Sequence, residues 1–290
     1  MQSIPWPFLA AEALAADALT FRELRRFHAA VYPGVWIPRD VDLSAIDRAR
    51  AAWLWSGRRG VLAGLSASAV LGAKWIDGDA PAELVHTNRR PPPGVVVHTD
   101  GLAGDEKQQE LGLPVTTPAR TAFDLGRRLD VTSAVQRVDA LMQATDLKVD
   151  DVDAVIARHR GARGLAQLRR VLALVDGGSE SPYESLTRLL LVHNGFPRPD
   201  TQVRVCDEHG FVVARLDMGW PEWRVGVDFD GAHHWTDPKQ RSKDVERYAR
   251  LPELGWIDIR LTSSMLHNTP RVFLERVDAA LTARGCPRTW

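Results

Sequence analysis

Cysteine is nearly absent from this 290-residue chain, which holds Cys206 and Cys286 and no other. Two such residues cannot build a disulfide framework or a cysteine-rich zinc site. Net charge is missing as well, since 37 Lys and Arg balance 37 Asp and Glu. That balance argues against a surface coated in basic groups for indiscriminate nucleic-acid binding, and it leaves room for local patches. No stretch approaches the run of about 18 apolar residues that a membrane helix needs. The opening Met1-Gln2-Ser3-Ile4-Pro5-Trp6-Pro7-Phe8 has no basic segment followed by an apolar one, so no secretory signal is expected. These absences point to a cytoplasmic protein without a membrane partner. Lysine is scarce, so arginine, whose planar fork suits phosphate, carries most of the positive charge. The length exceeds what most single cores reach, and two domains are expected.

The first half reads as mostly helical. Residues 7–18 suggest a short Ala/Leu helix. Thr20, with Glu23 three residues on, has the capping-box pattern and opens a second helix over 21–30 that carries Arg22, Arg25 and Arg26. Pro33-Gly34 then marks a turn between short extended pieces, Val31-Tyr32 and Val35-Trp36-Ile37-Pro38. Helix, helix and hairpin together give the outline of a reduced winged helix-turn-helix. Helices are expected over 44–56, 64–72, 119–128, 131–145, 149–159 and 163–175, with extended pieces at 83–87 and 94–99. Asp176-Gly177-Gly178-Ser179 reads as a linker, which places one domain at 1–175 and a second at 179–290.

The second domain has a different pattern. Ser181-Pro182 opens a helix. Strands follow at 201–205, 210–218 and 223–229, then a helix from 237 to about 254, a strand at 256–261 and a final helix to Arg284. The order α-β-β-β-α-β-α predicts a mixed sheet flanked by helices, hence an α+β (or α/β) protein. Asp217, Asp228 and Asp230 fall on two of these strands among Leu, Met, Val and Phe. Aspartate is depleted from strands, so three of them suggest a task other than packing. Alternation puts Asp228 and Asp230 on one side of their strand, and a turn at Pro221-Glu222 brings Asp217 alongside Asp228. Carboxylates converging in this way form a hard oxygen site suited to Mg²⁺ or Mn²⁺. Such a metal polarises a scissile phosphate and lowers the pKa of an attacking water.

The stretch also resembles the Vsr-like, DUF559 branch of the PD-(D/E)XK nucleases. The matching pieces are Glu184, then Asp217 after Arg215-Leu216, then Asp228-Phe229-Asp230-Gly231-Ala232-His233-His234, then Arg241-Ser242-Lys243-Asp244-Val245-Glu246-Arg247. The resemblance implies a restriction-endonuclease-like fold over roughly residues 179–285. It implies Asp217 and Asp228 as metal ligands, with Glu184 as a third acidic group. It also implies His234, Arg241, Asp244 and Arg247 as phosphate-binding or supporting groups around them. Two positions depart from the pattern: the usual Glu is Asp at 228, and Asp230 stands where the superfamily places Lys.

The first half resembles, more loosely, the AbiEi-type antitoxin family with its N-terminal winged helix. The pieces are Leu19-Thr20-Phe21-Arg22-Glu23-Leu24, Tyr32-Pro33-Gly34-Val35-Trp36-Ile37-Pro38 and Thr117-Pro118-Ala119-Arg120-Thr121-Ala122-Phe123-Asp124. This resemblance implies DNA binding or regulation, with Arg22, Arg25 and Arg26 facing phosphates. Two expectations stand side by side. The first is a Mg²⁺-dependent DNA endonuclease that the first half positions on DNA. The second is a non-catalytic DNA-binding regulator of the antitoxin type that keeps a nuclease-like fold. DNA is the expected partner in both, and homodimerisation is left open.

Overall fold

The computed structural model describes residues 5–230 and 250–290, and the chain has an α+β fold. It divides into two compact units, Met1–Ala173 and Leu174–Trp290.

The first unit opens with β1 (Phe8–Leu9), α1 (Ala10–Ala15), α2 (Phe21–Phe27), β2 (His28–Tyr32) and β3 (Val35–Pro38), in a sheet ordered β1-β3-β2. The helix, helix and hairpin order is the expected one, and both helices are shorter than expected. Phe8 and Leu9 pair with Trp36 and Val35, which delays the first helix. His28 to Ala30 pair with Pro38 to Trp36, which stops the second at Phe27. At its start α2 has the predicted reciprocal cap: Thr20 Oγ1 accepts the Glu23 amide at 3.2 Å, and Glu23 Oε2 accepts the Thr20 amide at 2.8 Å. Phe8, Ala13, Leu19 and Leu24 form a small core here, with Trp6 and Trp36 against it.

Next come α3 (Ala45–Trp55), capped by Ser44 and Asp47, and the buried α4 (Gly64–Val70). Around them lies a sheet of β4 (Val61–Leu62), β5 (Ala82–Val85), β6 (Val95–His98), β7 (Lys107–Glu110) and β8 (Leu113–Thr116), ordered β6-β5-β4-β8-β7. Helices α5 (Pro118–Arg128), α6 (Val131–Ala144), α7 (Val149–Arg158) and α8 (Leu165–Leu174) follow. A mostly helical half was expected, yet strands β1 to β8 all lie in it. The β7–β8 hairpin has no sequence signal of alternation, since β7 is Lys-Gln-Gln-Glu. Its turn places Leu111 and Gly112 at positive φ, the pattern of a two-residue hairpin loop.

The second unit contains α9 (Pro182–His193), β9 (Asp200–Cys206), β10 (Val212–Trp220), β11 (Val225–Asp230), β12 (Ile257–Thr262), α10 (Ser263–Asn268) and α11 (Pro270–Ala283). Strands β9, β10 and β11 form an antiparallel meander, and β12 joins β11 in parallel, so the sheet is mixed as expected. Most of the helix expected over 237–254 lies outside the described residues. Asp176-Gly177-Gly178-Ser179 is not a loose tether. Asp176 Oδ1 accepts the Gly178 amide at 2.9 Å and the Thr201 hydroxyl at 3.0 Å, and Ser179 is buried. The Gly-Gly pair is a packed turn against β9.

Apolar clusters cover both faces of this sheet. One joins Met218, Trp220, Val225 and Val227 to Leu191, Phe273 and Val277. The other joins Val203, Val205, Ala214 and Leu216 to Leu251. A side chain at Gly226 would run into Leu216, so Leu216 lies over the face that Gly226 presents. Val225 and Val227, its neighbours in the strand, point the opposite way.

Candidate functional site

Leu216 and Met218 are two apart on one strand, so regular alternation would send them to the same face. They belong instead to the two opposite clusters, and the alternation of β10 therefore breaks at Asp217. The β10–β11 ladder ends at the same place. Its registered pairs are Trp220 with Val225, Gly219 with Gly226 and Met218 with Val227. Beyond that last pair the aspartates take over the bonding. The Asp217 amide donates to Asp228 Oδ1 at 2.9 Å, and the Phe229 amide donates to Asp217 Oδ2 at 2.7 Å. Each carboxylate thus satisfies an amide of the opposite strand, which is why two aspartates persist where they pack poorly. Asp228 is buried, at 4% exposure.

Glu184 comes to this point from the first turn of α9, where its amide donates to the capping Ser181 Oγ at 3.2 Å. Its Oε2 accepts the Glu180 amide at 2.8 Å and Gln202 Nε2 at 3.2 Å. Burial first, and then the negative charge of Asp217, push its pKa up to about 7, although hydrogen bonds from Glu180 and Ser181 pull the other way. Near neutral pH this carboxyl is poised between its two protonation states. Gln202 has no counterpart in the sequence reading. It sits in β9 at φ +53°, and among the described residues its buried Oε1 has no hydrogen-bond partner. No pattern of residue types announces such a backbone.

The structure brings Glu184, Asp217 and Asp228 together, while Asp230 sits one alternation further along β11, opposite Thr262. His233, His234, Arg241, Asp244 and Arg247 lie outside the described residues. Glu184 and Arg188, readable as an exposed pair one helical turn apart, are both buried because that face of α9 packs inward, and Arg188 donates to the Leu174 carbonyl. Among the described residues no group of three or more His, Cys, Asp or Glu is placed to hold a metal ion. The donor set that remains is two opposed carboxylates. It fits Mg²⁺, which is commonly held by one or two carboxylates, with water and substrate phosphate completing its shell.

In the first unit, Arg22, Arg25 and Arg26 are all exposed on α2. Among the described residues no carboxylate pairs with them. The Arg25 guanidinium lies 5.6 Å from the centre of the exposed Phe21 ring, and that of Arg26 lies 5.2 Å from Phe27. Arg39, at the end of the hairpin, holds the last carbonyls of the helix, with bonds of 2.9 Å to Arg25 O and 3.2 Å to Arg26 O.

The same unit contains a buried charge network absent from the sequence reading. Arg120 is 1% exposed; its Nε reaches Asp124 Oδ2 at 3.0 Å, and its Nη1 reaches the Gly101 carbonyl at 2.9 Å and the Glu106 carboxylate. Arg127 and Arg128 join Asp124 to Asp100. His159 and Arg158 close on Glu106 Oε1 at 2.7 and 3.0 Å. Burial would raise the Glu106 pKa. Hydrogen bonds from His159, the Ala103 amide, Arg120 and Arg158 outweigh burial and hold it at about 2.

A family match falls almost wholly on this first unit. Residues 67–174 match the family described as the AbiEi antitoxin C-terminal domain. Two relatives from Mycobacterium tuberculosis, MT2308 of strain CDC 1551 / Oshkosh and Rv2248 of strain ATCC 25618 / H37Rv, are each 29% identical over 188 residues. That similarity covers 65% of this chain and 68% of each relative. No solved structure matches. The family match contains the Thr117–Asp124 segment and with it Arg120, and it begins after the winged-helix elements. No described helix is long and apolar enough to cross a membrane. Residues 67–174 are therefore antitoxin-like, and the likeness is to an antitoxin's C-terminal domain.

Proposed function

We propose that the chain is a DNA-binding regulator of the antitoxin type. The observation that carries the proposal is the exposed basic face of α2, held rigid by a capping box at one end and by Arg39 at the other, in front of a hairpin. Arginines interleaved with exposed aromatic rings suit contact with a duplex backbone. The likeness of residues 67–174 to an antitoxin domain supports the regulatory part of the reading. The full chain, titrated against DNA from upstream of its own gene, binds with strong salt dependence. Substituting Arg22, Arg25 and Arg26 by Ala lowers the slope of log K against log salt by about 0.9 for each phosphate no longer neutralised. An unchanged slope in the triple variant would remove α2 from the interface.

A second reading is a Mg²⁺- or Mn²⁺-dependent nuclease site at Asp217 and Asp228, with Glu184 beside them. The resemblance of this stretch to the DUF559 nucleases supports it, as does the raised pKa of Glu184, which burial and then the charge of Asp217 push up. A bound metal would polarise a phosphodiester and activate water. The protein's own share would be to fix two carboxylates on a rigid ladder end and to offer Glu184 as a group able to take up or release a proton near pH 7. Under this reading Mn²⁺ at 100 times its Kd stabilises the second unit by about 2.7 kcal/mol. Asp228→Asn, which keeps an oxygen to accept the Asp217 amide, abolishes that gain. Thermal unfolding with and without Mn²⁺ measures it, and DNA cleavage that survives Asp217→Ala excludes the site.

A further inference from the structure

The turn Ser56-Gly57-Arg58-Arg59-Gly60 plays no part in either reading, and it forms one wall of a groove in the first unit with a volume of about 500 Å³. Its shape is fixed by its own bonds. Ser56 Oγ donates to the Trp53 carbonyl at 2.6 Å and accepts the Gly60 amide at 2.9 Å. The Gly57 and Arg58 amides donate to the Leu54 and Trp53 carbonyls, closing the end of α3. Facing this turn is β7, the edge strand of its sheet, with Lys107, Gln108 and Gln109 lining the groove.

Groups that donate hydrogen bonds or carry positive charge dominate this lining. Arg58 is neutralised by Glu12 through a two-pronged ion pair of 2.5 and 2.7 Å. Among the described residues no carboxylate pairs with Arg59 or Lys107, and both are exposed. Trp53 also lines the groove, and among the described residues its buried indole N–H has no acceptor, a costly condition. No Asp or Glu belongs to the lining. Of the acidic residues next to the lining in sequence, Asp105 and Glu106 are held by Arg158 and Arg120, and Glu110 follows Gln109 at the end of β7, outside the lining. A complementary ligand must therefore be anionic and rich in acceptors. Phosphate meets both needs: an arginine fork, a lysine point charge and amide donors are its usual partners.

We infer that this groove binds a phosphate-bearing ligand, either a free nucleotide or a segment of a nucleic-acid strand. The inference does not rest on DNA binding by α2. It is therefore tested in the full chain carrying Arg22→Ala, Arg25→Ala and Arg26→Ala, so that α2 cannot supply the signal. The probe is the Trp53 indole resonance in tryptophan-labelled protein, assigned with Trp53→Phe and titrated in turn with inorganic phosphate, a mononucleotide and a single-stranded oligonucleotide. A saturable shift is expected. Arg59→Ala with Lys107→Ala should weaken binding by about tenfold or more, the worth of one charge-assisted bond. Both substitutions are at exposed side chains, and an unmoved Trp53 resonance in the ligand-free variant shows that the groove is intact. A response to the mononucleotide assigns a free nucleotide, and a response to the oligonucleotide alone assigns a strand. If all three probes leave Trp53 unmoved, or if the double variant binds as tightly as its parent, the inference is overturned.

Discussion

Arg120→Met is expected to destabilise the first unit by about 3–5 kcal/mol, the usual cost of removing one partner from a buried ion pair. The size follows from what is left behind. Arg120, Glu106 and Asp124 are each at most 1% exposed. Without the guanidinium, Glu106 keeps His159 and Arg158, and Asp124 keeps Arg127 and Arg128, yet each loses the most deeply buried of its cations among the described residues. Arg120→Lys should recover part of the loss, because an ammonium supplies charge without the fork that reaches Asp124, Gly101 and Glu106 together. Urea unfolding measures the change, and hydrogen exchange at the α5 amides shows that the first unit is the one that opens. A loss below about 1 kcal/mol would place the network among ion pairs of surface worth.

The same network sets a lower pH limit for this unit. The Glu106 pKa lies at about 2, against an ordinary value of 4.5. A depressed acid contributes stability that is complete above its unfolded pKa and is lost as pH falls through its folded one. This contribution, on the order of 3 kcal/mol, should therefore disappear between about pH 4.5 and 2. Glu106→Gln should flatten that limb of the curve while lowering stability at neutral pH.

What could be read in the sequence and what could not differ in how local the physics is. Thr20 with Glu23 and Ser181 before Pro182 act within one turn, and both of these helices begin where the cap says they should. The facing of Asp217 and Asp228 was also within reach, because a tight turn and a three-pair ladder relate the two strands. The parallel pairing of β4 with β8 was out of reach: it joins residues far apart in sequence, and one of the strands is two residues long. Burial of charge was hidden for a different reason. Arg120 and Asp124 are spaced like an exposed helical pair, and so are Glu184 and Arg188. Only tertiary packing turns those faces inward, and Glu106 joins the first pair from 14 residues away. Gln202, with its positive φ at the point where β10 changes faces, belongs to the same class of long-range effect.

Glu184→Gln is expected to stabilise the second unit at pH 8 and to leave it unchanged at pH 4. In the folded chain the Glu184 pKa is raised from its ordinary 4.5 to about 7, chiefly by burial and next by Asp217. Below pH 4.5 folded and unfolded chains both hold the proton, and the group contributes nothing. Between pH 4.5 and 7 the unfolded chain releases the proton and the folded chain keeps it, so stability falls as pH rises. Above pH 7 the folded chain must ionise too, and the penalty levels off on the order of 3 kcal/mol. Glutamine keeps an oxygen to accept the Glu180 amide and carries no charge beside Asp217, so it escapes the penalty. Thermal unfolding in a chelator at pH 4, 6 and 8 checks the trend, with a difference between variant and parent that grows with pH. A native chain that tolerates such a penalty is the pattern expected where stability is given up for a working site. If Mn²⁺ then removes the advantage of the glutamine variant at pH 8, the buried negative charge of Glu184 is one that a cation relieves. If the advantage persists at saturating Mn²⁺, the metal and Glu184 are not coupled.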